Sequence, residues 1–165
     1  MLKTLSKVGS AIKIISLFVA RILMAFTAFI MFLQVVLRFI FNAALPWPEE
    51  AVRYGMIWVA LLVGNVLIRD KELISVDFLD HLWPPKVKRY RDFLYRLLLL
   101  LLLALVFKEG LSQAINGWKA TTTALEIRWF WPYLAIPIGM LFMLIQMLIL
   151  IIGDFANSRT LGSKQ

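Results

Sequence analysis

Leu45-Pro46-Trp47-Pro48-Glu49-Glu50-Ala51-Val52-Arg53 lies between two long apolar segments and concentrates charge in a chain that is otherwise mostly hydrocarbon. Pro46 and Pro48 fix φ and disfavour helix in the residues before them, so one helix must end upstream and another must start here. Pro48 suits a first helical turn. Glu49 and Glu50 follow it, where the positive end of the helix dipole favours anions. Arg53 comes four and three residues later, on the same helical face as both carboxylates. Arg38 closes the preceding apolar segment and is expected to reach them from across the turn. Arg38, Glu49, Glu50 and Arg53 thus form a near-neutral cluster where two spans meet a membrane surface. Trp47 fits the same level, because indole rings collect at lipid headgroups.

The composition sets the surroundings of that turn. Hydrophobic residues make up 61% of the 165, against roughly 45–50% in soluble domains. A water-soluble chain of this size has too little interior to hide so much apolar surface. Mean hydropathy is +0.81, and several apolar runs reach the roughly 18–20 residues that cross a bilayer. The fold class read from this is an all-α integral membrane protein in one domain over 1–165. Its four spans are expected at about 14–41, 48–68, 93–111 and 131–152. Arg21 and Arg38 sit toward the two ends of the first span, from which they are expected to snorkel to water. Gly55 and Gly64 are small positions where another helix can approach.

Between spans two and three, Leu73, Val76, Leu79 and Trp83 share a helical face, with Asp77, Asp80 and His81 on or near the other. That stretch is too short to span. It reads as a helix at about 73–83 lying in the interface, with Arg69, Asp77 and Trp83 as its marker residues. Pro84-Pro85 ends it.

The net charge is +8. No basic stripe is interleaved with aromatics, so no nucleic-acid partner is expected. The basic residues instead report topology. Three lie in the N-terminal tail, six between Arg69 and Asp92, and two in the C-terminal tail. The positive-inside rule then puts both termini and the middle connection in the cytoplasm. A cleavable signal peptide is not expected, since the first apolar run is too long and no small-residue cleavage site follows it. The absence of Cys excludes disulfides, thiol catalysis and Cys-bound metal.

Chemistry is scarce. No carboxylate falls near the middle of a span, where a self-sufficient transporter keeps its ionisable groups. Gln34, Asn65 and Gln146 are polar at depth and read as helix-packing contacts. The single His81 lies outside the spans, which excludes paired-histidine haem ligation. Asp77, Asp80 and His81 read as a solvated face rather than a metal site. No phosphate loop or nucleophile–base pair stands out. Neither an enzymatic activity nor a catalytic residue is expected, and no cofactor or metal site.

The residues from Arg38 to Asp77 resemble the small membrane subunit of tripartite ATP-independent periplasmic (TRAP) transporters, also called the Q or DctQ-like subunit. The resemblance rests on Arg38, on Pro46-Trp47-x-Glu49-Glu50-x-x-Arg53, and on Arg69-x-Lys71-Glu72-x-Ile74-x-Val76-Asp77. Thr123-Ala124-Leu125-Glu126-Ile127, Pro132 and Ile136-Pro137-Ile138-Gly139 add weaker support. Pro48 and Leu73 depart from the family pattern, which often has Ser and His there. The resemblance implies a scaffold subunit in the inner membrane of a bacterium. It would serve sodium-coupled uptake of an organic acid, such as a sialic acid or a C4-dicarboxylate. The implied partners are a large membrane subunit holding the substrate and sodium sites, a periplasmic substrate-binding protein, and phospholipid. Trp47, Lys119, Glu126 and Arg128 would then face the binding protein. The competing reading is a stand-alone, four-span homodimeric exporter, which is weakened by the missing intramembrane carboxylate.

Overall fold

In the computed structural model the described residues are 2–43, 45–70 and 85–162, with side chains described over 5–43, 45–70 and 90–153. The expected interfacial helix at 73–83, with Asp77 and Trp83, lies outside them. Among the described residues there are four α-helices: α1 Leu2–Ile40, α2 Trp47–Arg69, α3 Pro85–Asn116 and α4 Phe130–Gly162. Each contains a stretch long and apolar enough to cross a membrane. Among the described residues the only β-type pairing is an isolated antiparallel bridge, Thr121 to Arg128.

The helices overrun the expected spans. α1 begins at Leu2, so the lysine-bearing segment read as a tail is helical. Its 39 residues measure about 58 Å at 1.5 Å per residue. α4 likewise continues to Gly162, through the segment read as a polar tail. α2 alone matches a bilayer, with 23 residues or about 34 Å.

The turn after α1 is built as its sequence predicts. Asn42 adopts a left-handed φ of 51°, which suits its short polar side chain. The Phe41 and Ala43 amides fold back onto the Leu37 carbonyl at 3.2 and 3.1 Å. α2 then starts at Trp47 with Pro48 in the first turn and Glu49 and Glu50 beside it. Its last carbonyls are closed by the Asp70 amide bonding Val66 O at 3.0 Å.

The spatial order of the helices is α1–α2–α4–α3, not the chain order. α2 and α4 form the central pair, α1 flanks α2, and α3 flanks α4. The most apolar stretch of α4 is 39% buried and that of α3 only 17%. Ile68, Leu103, Met143 and Met147 form the buried core where α2, α4 and α3 meet. Close approach relies on small residues. A Cβ at Gly139 would lie 2.6 Å from Leu61 Cβ, and one at Gly55 would lie 2.5 Å from Thr27 Cγ2. At Gly64 the obstacle would be Met143 Cε.

The outer helices keep broad apolar faces uncovered. Phe18, Phe26, Phe29 and Phe32 of α1 are exposed, as are Leu97, Leu98, Leu101 and Leu102 of α3. Faces of this extent belong against lipid or another membrane protein.

Candidate functional site

The α1–α2 turn and the α3–α4 connection share one end of the molecule, and Glu50 joins them. Its carboxylate is 7% exposed. Oε1 accepts a 2.6 Å hydrogen bond from the Tyr54 hydroxyl, one turn along α2. Oε2 accepts the consecutive backbone amides of Ala124 and Leu125, both at 2.8 Å. A buried carboxylate is costly without donors, and here three donors converge on it. Burial and charge-assisted bonding make it a firm attachment point.

What it holds is a small hairpin. The Thr122 amide bonds Ile127 O at 2.7 Å, and the Ile127 amide returns to Thr122 Oγ1 at 3.3 Å. The Trp129 amide closes onto Ala120 O at 3.1 Å. Glu126 takes a left-handed φ of 55° at the tip, which leaves its side chain exposed. The base of the hairpin rests on rings. Trp129 lies edge-on to Tyr54 at 5.8 Å and stacks on Tyr133 at 5.2 Å. Arg128 places its guanidinium 4.3 Å from the centre of the Trp118 ring, a cation–π contact. Trp118 and Trp131 are exposed, 52% and 58%. The result is a hydrogen-bonded tip that exposes Glu126, Arg128, Lys119 and two indole rings.

This arrangement corrects the expected charge cluster. Among the described residues, no ion pair joins Arg38 or Arg53 to Glu49 or Glu50. Glu50 turns inward to the loop amides and Tyr54, whereas Arg53 is exposed. Three donors satisfy the carboxylate without a cation. Glu49 accepts Gln34 Nε2 at 3.1 Å, and Arg38 lies 6.0 Å from the ring of its neighbour Phe39. Trp47 is half-buried at the start of α2. Sequence reading missed Tyr54, although its spacing of four from Glu50 was visible. It also missed the Ala124 and Leu125 amides, for which no local signal exists.

The opposite end is fastened by polar contacts between helices. Lys13 Nζ binds both carboxylate oxygens of Asp70, at 2.6 and 2.8 Å. Arg69 Nη2 reaches Ser6 O at 3.1 Å and Ser10 Oγ at 3.3 Å. Asn65 Nδ2 donates to Ser16 Oγ at 2.9 Å, and Gln146 Nε2 to Gly9 O at 2.7 Å. Asn65 and Gln146 are fully buried. With Gln34 they are helix-packing contacts, as their sequence context suggests.

Four helices of membrane-spanning length and composition, closed at one end by a charged hairpin, define a multi-pass membrane protein. Comparison with known families makes this specific. Residues 27–157 match the tripartite ATP-independent periplasmic transporters, DctQ component, and the chain belongs to that family. It is 27% identical over 110 residues to the sialic acid TRAP transporter permease protein SiaT of Haemophilus influenzae, covering 66% of this chain and 18% of that protein. It is 27% identical over 108 residues to the isethionate TRAP transporter permease protein DctMQ of Oleidesulfovibrio alaskensis, covering 64% and 17%. A small permease protein of a TRAP transporter from Haemophilus influenzae is 29% identical over 91 residues, 55% of this chain and 56% of the relative. The matched region is thus about half of the small relative and under a fifth of the two large ones.

Proposed function

We propose that this chain is the scaffold subunit of a sodium-coupled TRAP uptake system for an organic acid. It would act with a large membrane subunit and a periplasmic substrate-binding protein. The observation that carries the reading is the use made of the buried polar groups. Glu50 anchors a loop, while Asn65 and Gln146 tie helices together through their amide nitrogens. In this reading substrate and sodium sites belong to the large subunit, and no cofactor is assigned to this chain. The two large relatives support a large partner. In each, the matched region is under a fifth of a permease chain whose remainder is covalently attached. The exposed faces of α1 and α3 suit burial against such a partner.

In this reading the chain lies in a bacterial inner membrane with both termini cytoplasmic, and the Glu50-anchored hairpin faces the periplasm. Lys119, Glu126 and Arg128 then lie where a docked binding protein would touch. The charge count supports that orientation. A reporter enzyme fused after Gln165, active only outside the cytoplasm, would contradict it.

The test of the assembly is a mild-detergent pull-down of the tagged chain from its host, followed by mass spectrometry. The expected result is one large polytopic membrane protein in one-to-one amount. Recovery of the chain alone, or as a homodimer, overturns the reading and favours a stand-alone exporter.

A further inference from the structure

Arg21 stands at the midpoint of α1, nineteen residues from either end. Sequence reading placed it near the start of a span, within snorkelling distance of water. The structure gives its depth. α1 begins at Leu2, and the Lys13–Asp70 ion pair marks the polar level at that end. Arg21 lies eight residues beyond Lys13, about 12 Å along the helix. The register with α2 agrees. Asn65 bonds Ser16, and Gly55 faces Thr27. Five residues past Ser16 is therefore level with Ala60, two residues from the centre of the bilayer-length helix α2. An extended arginine reaches about 7 Å toward its helix N-terminus. That leaves its guanidinium still inside the hydrocarbon.

It also points away from the rest of the chain. The packed side of α1 is Ser16, Ala20, Thr27 and Ile30, all buried. Ile14, Phe18, Ala25 and Phe32 share the Arg21 side at helical spacing, and all are exposed. Among the described residues Arg21 has neither an ion pair nor a hydrogen bond. An arginine at this depth is expensive unless an anion meets it, and residues of this kind pair inside membrane assemblies. Lipid phosphate sits at the headgroup level, beyond the reach just estimated.

We infer that Arg21 marks the face of α1 that docks against the large membrane subunit, and that its partner there is an aspartate or glutamate within a transmembrane helix. This rests on the scaffold reading. A carboxylate matches the planar guanidinium with two parallel hydrogen bonds. Ala25, one turn further on, leaves room for the partner helix to come close. The cation would then fix both the depth and the rotation of α1 against its neighbour.

The test co-expresses the tagged chain with its large subunit and measures the amount co-purified in mild detergent. Arg21→Glu is expected to reduce the large subunit at least tenfold, and Arg21→Gln by less. Because Arg21 makes no ion pair or hydrogen bond among the described residues, neither variant should shift the melting temperature of the isolated subunit. Replacing the membrane-embedded Asp and Glu residues of the large subunit by Arg, one at a time, should restore co-purification with Arg21→Glu at one position. Undiminished co-purification of Arg21→Glu overturns the inference and leaves the scaffold reading intact. So does failure of every such replacement to rescue. Native mass spectrometry showing loss of bound anionic phospholipid, with the large subunit retained, also overturns it by assigning Arg21 to lipid. If the wild-type chain brings down no large subunit, the scaffold reading falls and takes this inference with it.

Discussion

Gly139→Ala tests the central packing of the molecule through the sign of its effect. An alanine is favoured over glycine within a helix by roughly 0.8–1 kcal/mol. If α2 stood clear of α4 at this point, the substitution would stabilise. The structure predicts the reverse. The new Cβ would lie 2.6 Å from Leu61 Cβ, 3.3 Å from its Cγ and 3.4 Å from its Cδ1. Carbon atoms rest at about 3.5–4.0 Å, so the helices must separate locally by about 1 Å. Leu61 Cβ is fixed to the backbone and cannot swing aside as a methionine terminus does. Overpacking of this kind costs about 1–3 kcal/mol. A net loss of about 1–2 kcal/mol lowers the melting temperature of a chain this size by about 2–8 °C. Thermal unfolding in detergent, followed by tryptophan fluorescence, measures it. Gly153→Ala is the control, since nothing lies within 4 Å of its added Cβ, and it should not destabilise. In the Leu61→Gly background Gly139→Ala should lose its penalty. A coupling between the two below about 0.3 kcal/mol, or a raised melting temperature for Gly139→Ala alone, refutes the close approach.

Other expectations concern the two fastened ends. Glu50→Gln should loosen the hairpin while leaving the helices intact, seen as about tenfold faster hydrogen exchange at the Ala124 and Leu125 amides. Tyr54→Phe removes one of the three donors and should give a smaller change at the same amides. Ser16→Ala leaves the buried Asn65 amide without its partner and should cost about 0.6–1.7 kcal/mol in detergent unfolding. Ser16→Ala combined with Asn65→Leu removes both ends of that problem and should come closer to neutral. Lys13→Ala breaks an ion pair whose side chains are about one-third exposed, so the expected loss is under about 1 kcal/mol and shrinks in high salt. Glu126→Lys should slow uptake by about tenfold at low salt with unchanged complex yield, and unchanged uptake would detach the hairpin tip from binding-protein docking.

The four helices were legible because each contains a run of apolar residues at least as long as a bilayer is thick. The turn at Asn42–Pro48 was legible because two prolines and a cap-tolerant asparagine act within a few residues. The helical overhang before Lys13 was not. Hydropathy registers apolar length, and Leu2–Lys13 is held as a helix on the molecule by Ser6, Gly9 and Ser10 meeting Arg69 and Gln146, contacts of long sequence separation. Glu50 gives the same lesson. Its neighbour Arg53 suggested an ion pair, but the carboxylate takes two amides more than seventy residues away. A helical wheel ranks nearby charges and carries no knowledge of a loop returning from elsewhere.

The spatial order α1–α2–α4–α3 bears on how the chain is made. Synthesis delivers α3 before the helix that connects it to the others. Until α4 is inserted, α3 lacks its main neighbour, and Ile68 and Leu103 have no Met143 or Met147 to close over them. The fourth helix to leave the ribosome is thus the keystone of the bundle. Quality control in the membrane has a simple criterion available, because in a chain that stops short of α4 the α1–α2 pair and α3 lack the helix that packs against both.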